Sequence, residues 1–356
     1  ALLLSIEPRS TQWSSGSPEV LGFFLGNVQF FASGAASLAC AHRTMVLDAS
    51  AAERFKIERH IGSGSFGDVY IGIDSRTGER VALKVEASLS KSPRLFHEAK
   101  IYKSLTGRPG FAQLRHCGME ARRNVLVVDL LGATLEELFH LCGRRFSFKT
   151  VCMLADQAIE RLEAFHAEGW VHRDIKPENL LIGNGEDSGL VHLIDFGMAK
   201  RFRDAAAAGG QHVDFKQCQT VKGTVRYASL NACRAGLQSR RDDLEALGFV
   251  LVYFMRGSLP WQSLPKAFTR RVQMDKLVEM KTSTSFHELC DGLEGQEVLV
   301  KYLTYCRRLD FKECPDYSYL RGLFVDALAR EGHCNDLEFD WVGQHSVGDR
   351  LQQLKP

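Results

Sequence analysis

The segment His172-Arg173-Asp174-Ile175-Lys176-Pro177-Glu178-Asn179 restricts what this chain can fold into more than any other feature. It sets a carboxylate, an ammonium and an amide at fixed spacing. Sixteen residues beyond Asn179 comes Asp195, in Ile194-Asp195-Phe196-Gly197, after a strand-like run at Val191–Ile194. Each of these residues alone could be a surface group or a helix cap. Their order, spacing and strand–loop context together suit phosphoryl transfer, which asks a protein for positioning and charge neutralisation rather than covalent chemistry. On this reading Asp174 accepts or orients the proton of an acceptor hydroxyl, Lys176 neutralises the transferring phosphoryl, and Asn179 and Asp195 hold magnesium.

A matching nucleotide site lies upstream. Ile61-Gly62-Ser63-Gly64-Ser65-Phe66-Gly67-Asp68-Val69 is a glycine-rich loop between two strand-like segments. Its glycines let backbone amides approach a polyphosphate, and Val69 covers the adenine. Such a loop alone is weak support, since a glycine-bearing hairpin reads the same way. The next strand, Val81-Ala82-Leu83-Lys84, adds a lysine among apolar neighbours, with Glu98 as its expected carboxylate partner.

Around these motifs the periodicity changes once. Strand-like runs at Phe55–Ile61, Val69–Asp74, Arg80–Val85 and Asn124–Leu130 enclose one helical stretch, Leu95–Leu105. After Leu131 helical spacing dominates: Ser147 is a candidate N-cap for the helix carrying Val151, Leu154, Ala158, Ile159, Leu162 and Phe165. Leu244–Met255 is apolar nearly all round and reads as a buried central helix. The expected fold is therefore α+β and bilobal, with a small β-rich N-lobe over about 55–130 and a larger, mainly helical C-lobe over about 131–341. Forty-five basic against 43 acidic residues leave +2, which argues against nucleic acid as a main partner. Ten cysteines without a CxxC pair read as reduced thiols of a cytosolic or nuclear protein.

The chain resembles the eukaryotic protein kinases, and within them the casein kinase I family. The resemblance rests on Ile61–Tyr70, Glu98–Lys103, Leu130–Phe139, Gly223–Asn231, Ser239–Glu245, Gly257–Gln262, Arg308–Phe311 and Pro315–Tyr317. Ser229-Leu230-Asn231, in place of Ala-Pro-Glu, is the family-specific mark. The resemblance implies a Ser/Thr protein kinase using ATP and Mg2+, with Lys84, Glu98, Asp174 and Lys176 in catalysis. It also implies that Asp129 and Leu131 contact adenine through the backbone beside the gate residue Val128, that Leu181 lies under the base and that Ala82 and Ile194 line the same pocket. Asp243 would brace the catalytic loop. Acceptors would carry an acidic or phosphorylated residue about three positions upstream, read by Arg226 with help from Lys222. A scaffold that binds nucleotide without transfer would be marked by loss of Lys84, Asp174, Asn179 or Asp195, and all four are present.

Several departures matter. Val128 stands where the family commonly has methionine, and the basic run after Trp261 shrinks to Arg270-Arg271-Val272-Gln273. Between Gly197 and Gly223 the only hydroxyl side chain is Thr220, so the enzyme is expected to work without activation-loop phosphorylation. Residues 1–54 read as an extension preceding the domain, with Met45 as the expected true start. A targeting segment, suggested by Ala39-Cys40-Ala41, and a regulatory arm are the alternatives. Residues 342–356 form a short tail, and Ala205–Gly210 reads as a flexible insert. No stable membrane insertion is expected; the protein is expected to be a monomer in the cytoplasm, with the nucleus as a second compartment.

Overall fold

Alternating apolar positions and glycine turns organise the first part of the chain into a sheet. The computed structural model describes residues 54–64, 67–87, 94–120, 123–203, 210–264 and 269–342. Strands β1 (Phe55–Gly64), β2 (Gly67–Asp74), β3 (Arg80–Ala87), β4 (Leu114–Glu120) and β5 (Arg123–Asp129) form one antiparallel sheet in the order β1-β2-β3-β5-β4. In β3 the period of two buries Val81, Leu83 and Val85 with Phe55, Tyr70, Val125 and Val127, leaving Ala82 and Lys84 for the opposite face. At the β1–β2 turn, Gly67 has φ 133°, and a Cβ there would lie 2.1 Å from Val85 O. Only glycine lets β2 start this close to β3.

Within the sheet, strand β4 is the one the sequence pattern does not announce. Arg115, His116, Gly118 and Glu120 break any alternation, and the segment becomes a strand because β5 offers it a row of backbone partners. The helix expected at Leu95–Leu105 is α1 (Arg94–Ser104).

The second lobe contains α2 (Leu135–Leu141), α3 (Phe148–Ala167), α4 (Leu230–Cys233), α5 (Arg240–Arg256), α6 (Arg270–Ser283), α7 (Phe286–Cys290), α8 (Gln296–Arg308) and α9 (Tyr317–Arg330). Two short antiparallel pairs, β6 (Trp170–Val171) with β9 (Lys200–Arg201) and β7 (Leu180–Ile182) with β8 (Val191–Leu193), carry the loops that hold the chemistry. Ser147 caps α3, its Oγ accepting from Thr150 N–H at 3.2 Å. Every residue of α5 from Asp242 to Met255 is buried, which explains its apolar surface on all sides. The apolar core of this lobe also takes in Leu95, Ile101 and Tyr102 of α1, so that helix is shared between lobes. The architecture is the expected one: an antiparallel N-lobe sheet with one helix, joined to a helical C-lobe. Among the described residues no helix is long and apolar enough to cross a membrane.

Candidate active site

The pairing of β2 with β3 sets Lys84 opposite Val69, on the sheet face shared with Ala82. From there Lys84 Nζ donates to Glu98 Oε2 of α1 at 2.8 Å and to Asp195 Oδ1 at 2.7 Å. Burial by itself would push this ammonium down, but the Glu98 and Asp195 carboxylates outweigh it and hold Lys84 above the usual lysine range. Burial raises Glu98, whereas at Asp195 the attraction of Lys84 overcomes burial and holds the carboxyl below its ordinary value. One ammonium between two carboxylates leaves net negative charge and an ionised Asp195.

Asp195 reaches this place through a left-handed turn, φ 64°, whose next residue Phe196 is fully buried. The Phe196 ring packs against Tyr102 at 4.7 Å, Phe165 at 5.1 Å and His172 at 5.8 Å. His172 Nε2 donates to Ile194 O at 2.9 Å, and its Nδ1 accepts from Asp174 N–H at 3.3 Å, so one imidazole ties the two polar loops together. Arg173 also has a left-handed φ, 69°. Non-glycine residues in this region cost about 1–3 kcal/mol each and persist where their surroundings over-determine them. Here the determinant is Asp243 of α5: its carboxylate accepts from His172 N at 2.7 Å, Arg173 N at 2.8 Å and His166 Nε2 at 2.9 Å. The expected brace from the central helix is thus present as three hydrogen bonds.

Asp174 is 6% exposed, and both its carboxylate oxygens are engaged. Oδ2 accepts from Lys176 Nζ at 2.9 Å, while Oδ1 accepts from Thr224 N at 2.7 Å and Thr224 Oγ1 at 2.8 Å. Gly223 makes this possible. At φ 94° a Cβ there would sit 2.4 Å from Arg173 O. Asn179 Nδ2 donates to Asp174 O at 2.9 Å, which leaves the amide oxygen as the end able to bind a cation. Burial works against the charge of Lys176, but Asp174 beside it more than compensates, and its ammonium is held above the ordinary range.

The residues expected around adenine lie on facing strands. Ala82 pairs with Val128, which also pairs with Leu114 on its other side, and Val128 and Leu114 pack against the larger apolar core. Asp129 spends its carboxylate on Gln113 N at 2.8 Å and Arg115 Nε at 2.5 Å, and its own N–H donates to Gln113 O at 3.2 Å. Leu131 is half-buried; Leu181 lies on β7, bridged to Thr134. Ile194 N donates to Asn179 O at 3.0 Å. Ile61, Gly62, Ser63 and Gly64 run along the end of β1, with Gly64 opposite Gly67; Ser65 and Phe66 lie outside the described residues. Arg226 is half-buried, its Nη1 3.4 Å from Tyr227 Oη, and Lys222 is exposed.

The family model of the protein kinase domain matches residues 55–311, well over half of the chain. The chain belongs to the protein kinase domain family. Its activity is phosphoryl transfer to proteins, and protein kinase domains use ATP and Mg2+. The residues present fit both. The kinase domain presents a carboxylate and an amide oxygen, the hard donors that Mg2+ takes, and a fully charged lysine held by Glu98 for phosphate oxygens.

Two members of the site are not among the expected site residues. Thr224, fifty residues from Asp174, donates to Asp174 Oδ1, and Lys281 of α6 donates to three carbonyls of the segment containing Arg226. The Gly-Thr pair inside Gly223–Asn231 is the only local signal for the first. Lys281 had none, because a lysine on a helix of mixed polarity reads as a solvated one.

Proposed function

We propose that this kinase is a Ser/Thr protein kinase of the casein kinase I type, using ATP and Mg2+ on acidic or phospho-primed proteins and active without activation-loop phosphorylation. The observation that carries the reading is the carboxylate of Asp174 held between Lys176 and Thr224. Bound ATP supplies the phosphoryl group, and Mg2+, with Asn179 and Asp195 as its protein ligands, supplies positive charge beside it. The chain's own residues do the rest. The Asp174 carboxylate would take the proton of a serine or threonine hydroxyl, and Lys176, which donates to its Oδ2, would offset the charge of the transferring group. Lys84 orients phosphate oxygens while Glu98 keeps it from swinging away.

Independence from loop phosphorylation is supported by what already holds the loop. Arg173, the cation of the catalytic loop, donates through Nε to Met198 O at 2.7 Å, and Thr220, the one hydroxyl side chain there, is exposed. Substrate preference is supported by charge. Residues 200–241 carry nine basic and two acidic side chains, while the chain as a whole is only +2. Arg226 follows Thr224 by two residues, so an anion on it lies close to the acceptor.

Peptide kinetics test the reading. Arg226→Glu is expected to lower kcat/KM on a primed peptide by roughly ten- to a hundredfold, the worth of a charge-assisted contact of about 1.5–3 kcal/mol, and to leave a neutral peptide much less affected. Added salt should shrink the difference. Equal losses on both peptides would mean that Arg226 holds its own segment in place rather than reading substrate. Transfer to tyrosine in the same peptide frame as readily as to serine would overturn the hydroxyl assignment.

A further inference from the structure

Three backbone carbonyls of the segment after Thr224 end on a single buried ammonium. Lys281 is 2% exposed, and its Nζ donates to Val225 O at 3.0 Å, Arg226 O at 3.2 Å and Ala228 O at 2.5 Å. That uses all three of its protons. Its charge also lies 4.8 Å from the Phe249 ring centroid and 4.9 Å from that of Trp261. Trp261 adds a fourth hydrogen bond to the same segment, Nε1 donating to Arg226 O at 2.7 Å.

The opposite end of this segment is held by the catalytic carboxylate through Thr224. Gly223 to Ala228 is therefore a short plate pinned at one end to Asp174 and at the other to Lys281. A buried ammonium is a costly way to fill space, and a methionine would fill it more cheaply. What methionine could not do is hold three carbonyls in one orientation.

We infer that Lys281 is a positioning residue for the peptide acceptor, its ammonium clamping the carbonyl side of Gly223–Ala228 so that Thr224 stays on Asp174 and Arg226 stays at a fixed distance from the acceptor hydroxyl. The inference rests on the reading of this segment as the one that faces substrate. It implies a sensitivity to alkali. The titratable and charged groups facing Lys281 are Cys233 from α4, Glu245 from α5 and Arg307 from α8. Arg307 is already paired with Glu245, at 2.7 Å, which leaves little free negative charge to retain the ammonium. Burial consequently pushes Lys281 down to about 8. Losing the proton removes the charge and one of three donors together.

The test uses the full chain, a neutral and a phospho-primed serine peptide, and steady-state KM for peptide and for ATP measured across mildly acid to alkaline pH. In the wild type, peptide KM should rise above about pH 8 while ATP KM does not follow. The peptide phosphate is fully ionised before that range and cannot cause the rise. Lys281→Met should raise KM for both peptides on the order of tenfold at neutral pH and abolish the alkaline rise. Lys281→Arg keeps its charge throughout this range and should remove the alkaline rise. A wild-type peptide KM that stays flat through this range overturns the inference even if the methionine variant fails to fold. So does a folded Lys281→Met with wild-type peptide KM, an alkaline rise that survives in Lys281→Arg, or a loss in which peptide and ATP KM increase together. A wild type that ignores priming, with Lys281→Met still raising KM on the neutral peptide, would sink the proposed substrate preference and leave the clamp standing.

Discussion

Lys84 sits between two carboxylates at 2.8 and 2.7 Å, and an arginine cannot reproduce that geometry, because its planar fork spreads the donors that an ammonium concentrates. Lys84→Arg and Asp195→Asn are both expected to cut turnover on casein, followed with radiolabelled ATP, by on the order of a hundredfold or more while the melting temperature changes little. Near-wild-type turnover in either would show that the roles are misassigned. Val128 concerns the nucleotide pocket instead. It pairs with Ala82 and packs against the shared core, leaving more room than methionine by one to two methylene-sized groups. At about 1 kcal/mol per group, inhibitors with a bulky back-pocket substituent should bind roughly tenfold more tightly to wild type than to Val128→Met. Equal dissociation constants would place the gate elsewhere.

In helix α5 two adjacent carboxylates are shifted in opposite directions. Asp242 is buried among neutral donors, accepting from Ser229 Oγ at 2.5 Å, Ser239 N at 2.7 Å and Asn231 Nδ2 at 3.0 Å, and burial outweighs them, pushing it up to about 6. Asp243 is equally buried, but the hydrogen bonds and charge of the loop beside it, His166 first, overcome that and hold it below its ordinary value. For Asp242 the folded-state value lies above the ordinary 3.8. Its contribution to stability is thus complete below 3.8 and disappears as pH rises through about 6. A difference of that size corresponds to about 3 kcal/mol. Urea unfolding of wild type should therefore weaken relative to Asp242→Asn between about pH 4 and 6, and parallel curves for the two proteins would refute the account. Asp243 acts with the opposite sign, since its stabilisation is present above pH 3.8 and is lost on acidification below it. Legibility at this scale followed local pattern: α3 with its Ser147 cap, α5 and the strands flanking the glycine loop were readable, whereas β4 was not, because its partner rather than its composition makes it a strand.

At the scale of the molecule, the family match begins at residue 55 and the N-lobe sheet begins at the same residue. Deleting residues 1–44 is accordingly expected to leave turnover and melting temperature unchanged; a lowered melting temperature or a changed cellular location would assign that segment a role. The same reasoning applies to activation. Protein made in bacteria and carrying no phosphate should be fully active, because Lys176 and Thr224 already hold Asp174 by direct hydrogen bonds and Arg173 is already held by Met198 O. A large gain in activity only after phosphorylation of Thr220 would contradict this.

The sequence by itself determined the groups that must meet: Lys84, Glu98, Asp174, Asn179 and Asp195 stand in motifs whose residue types and spacing are dictated by phosphoryl-transfer chemistry. It also determined the division into a strand-rich and a helix-rich lobe, since the two periodicities are local properties. The clamps around those groups were decided by tertiary structure alone. Thr224 lies 50 residues from Asp174, and Lys281 lies 56 from Val225. Neither of these pairs has a local signature, because a hydrogen bond to a backbone amide or carbonyl leaves no complementary residue type at the other end. Burial then sets the charges. The same lysine that reads as a solvated helix residue is pushed down to about 8 by burial once Phe249, Trp261 and three carbonyls enclose it.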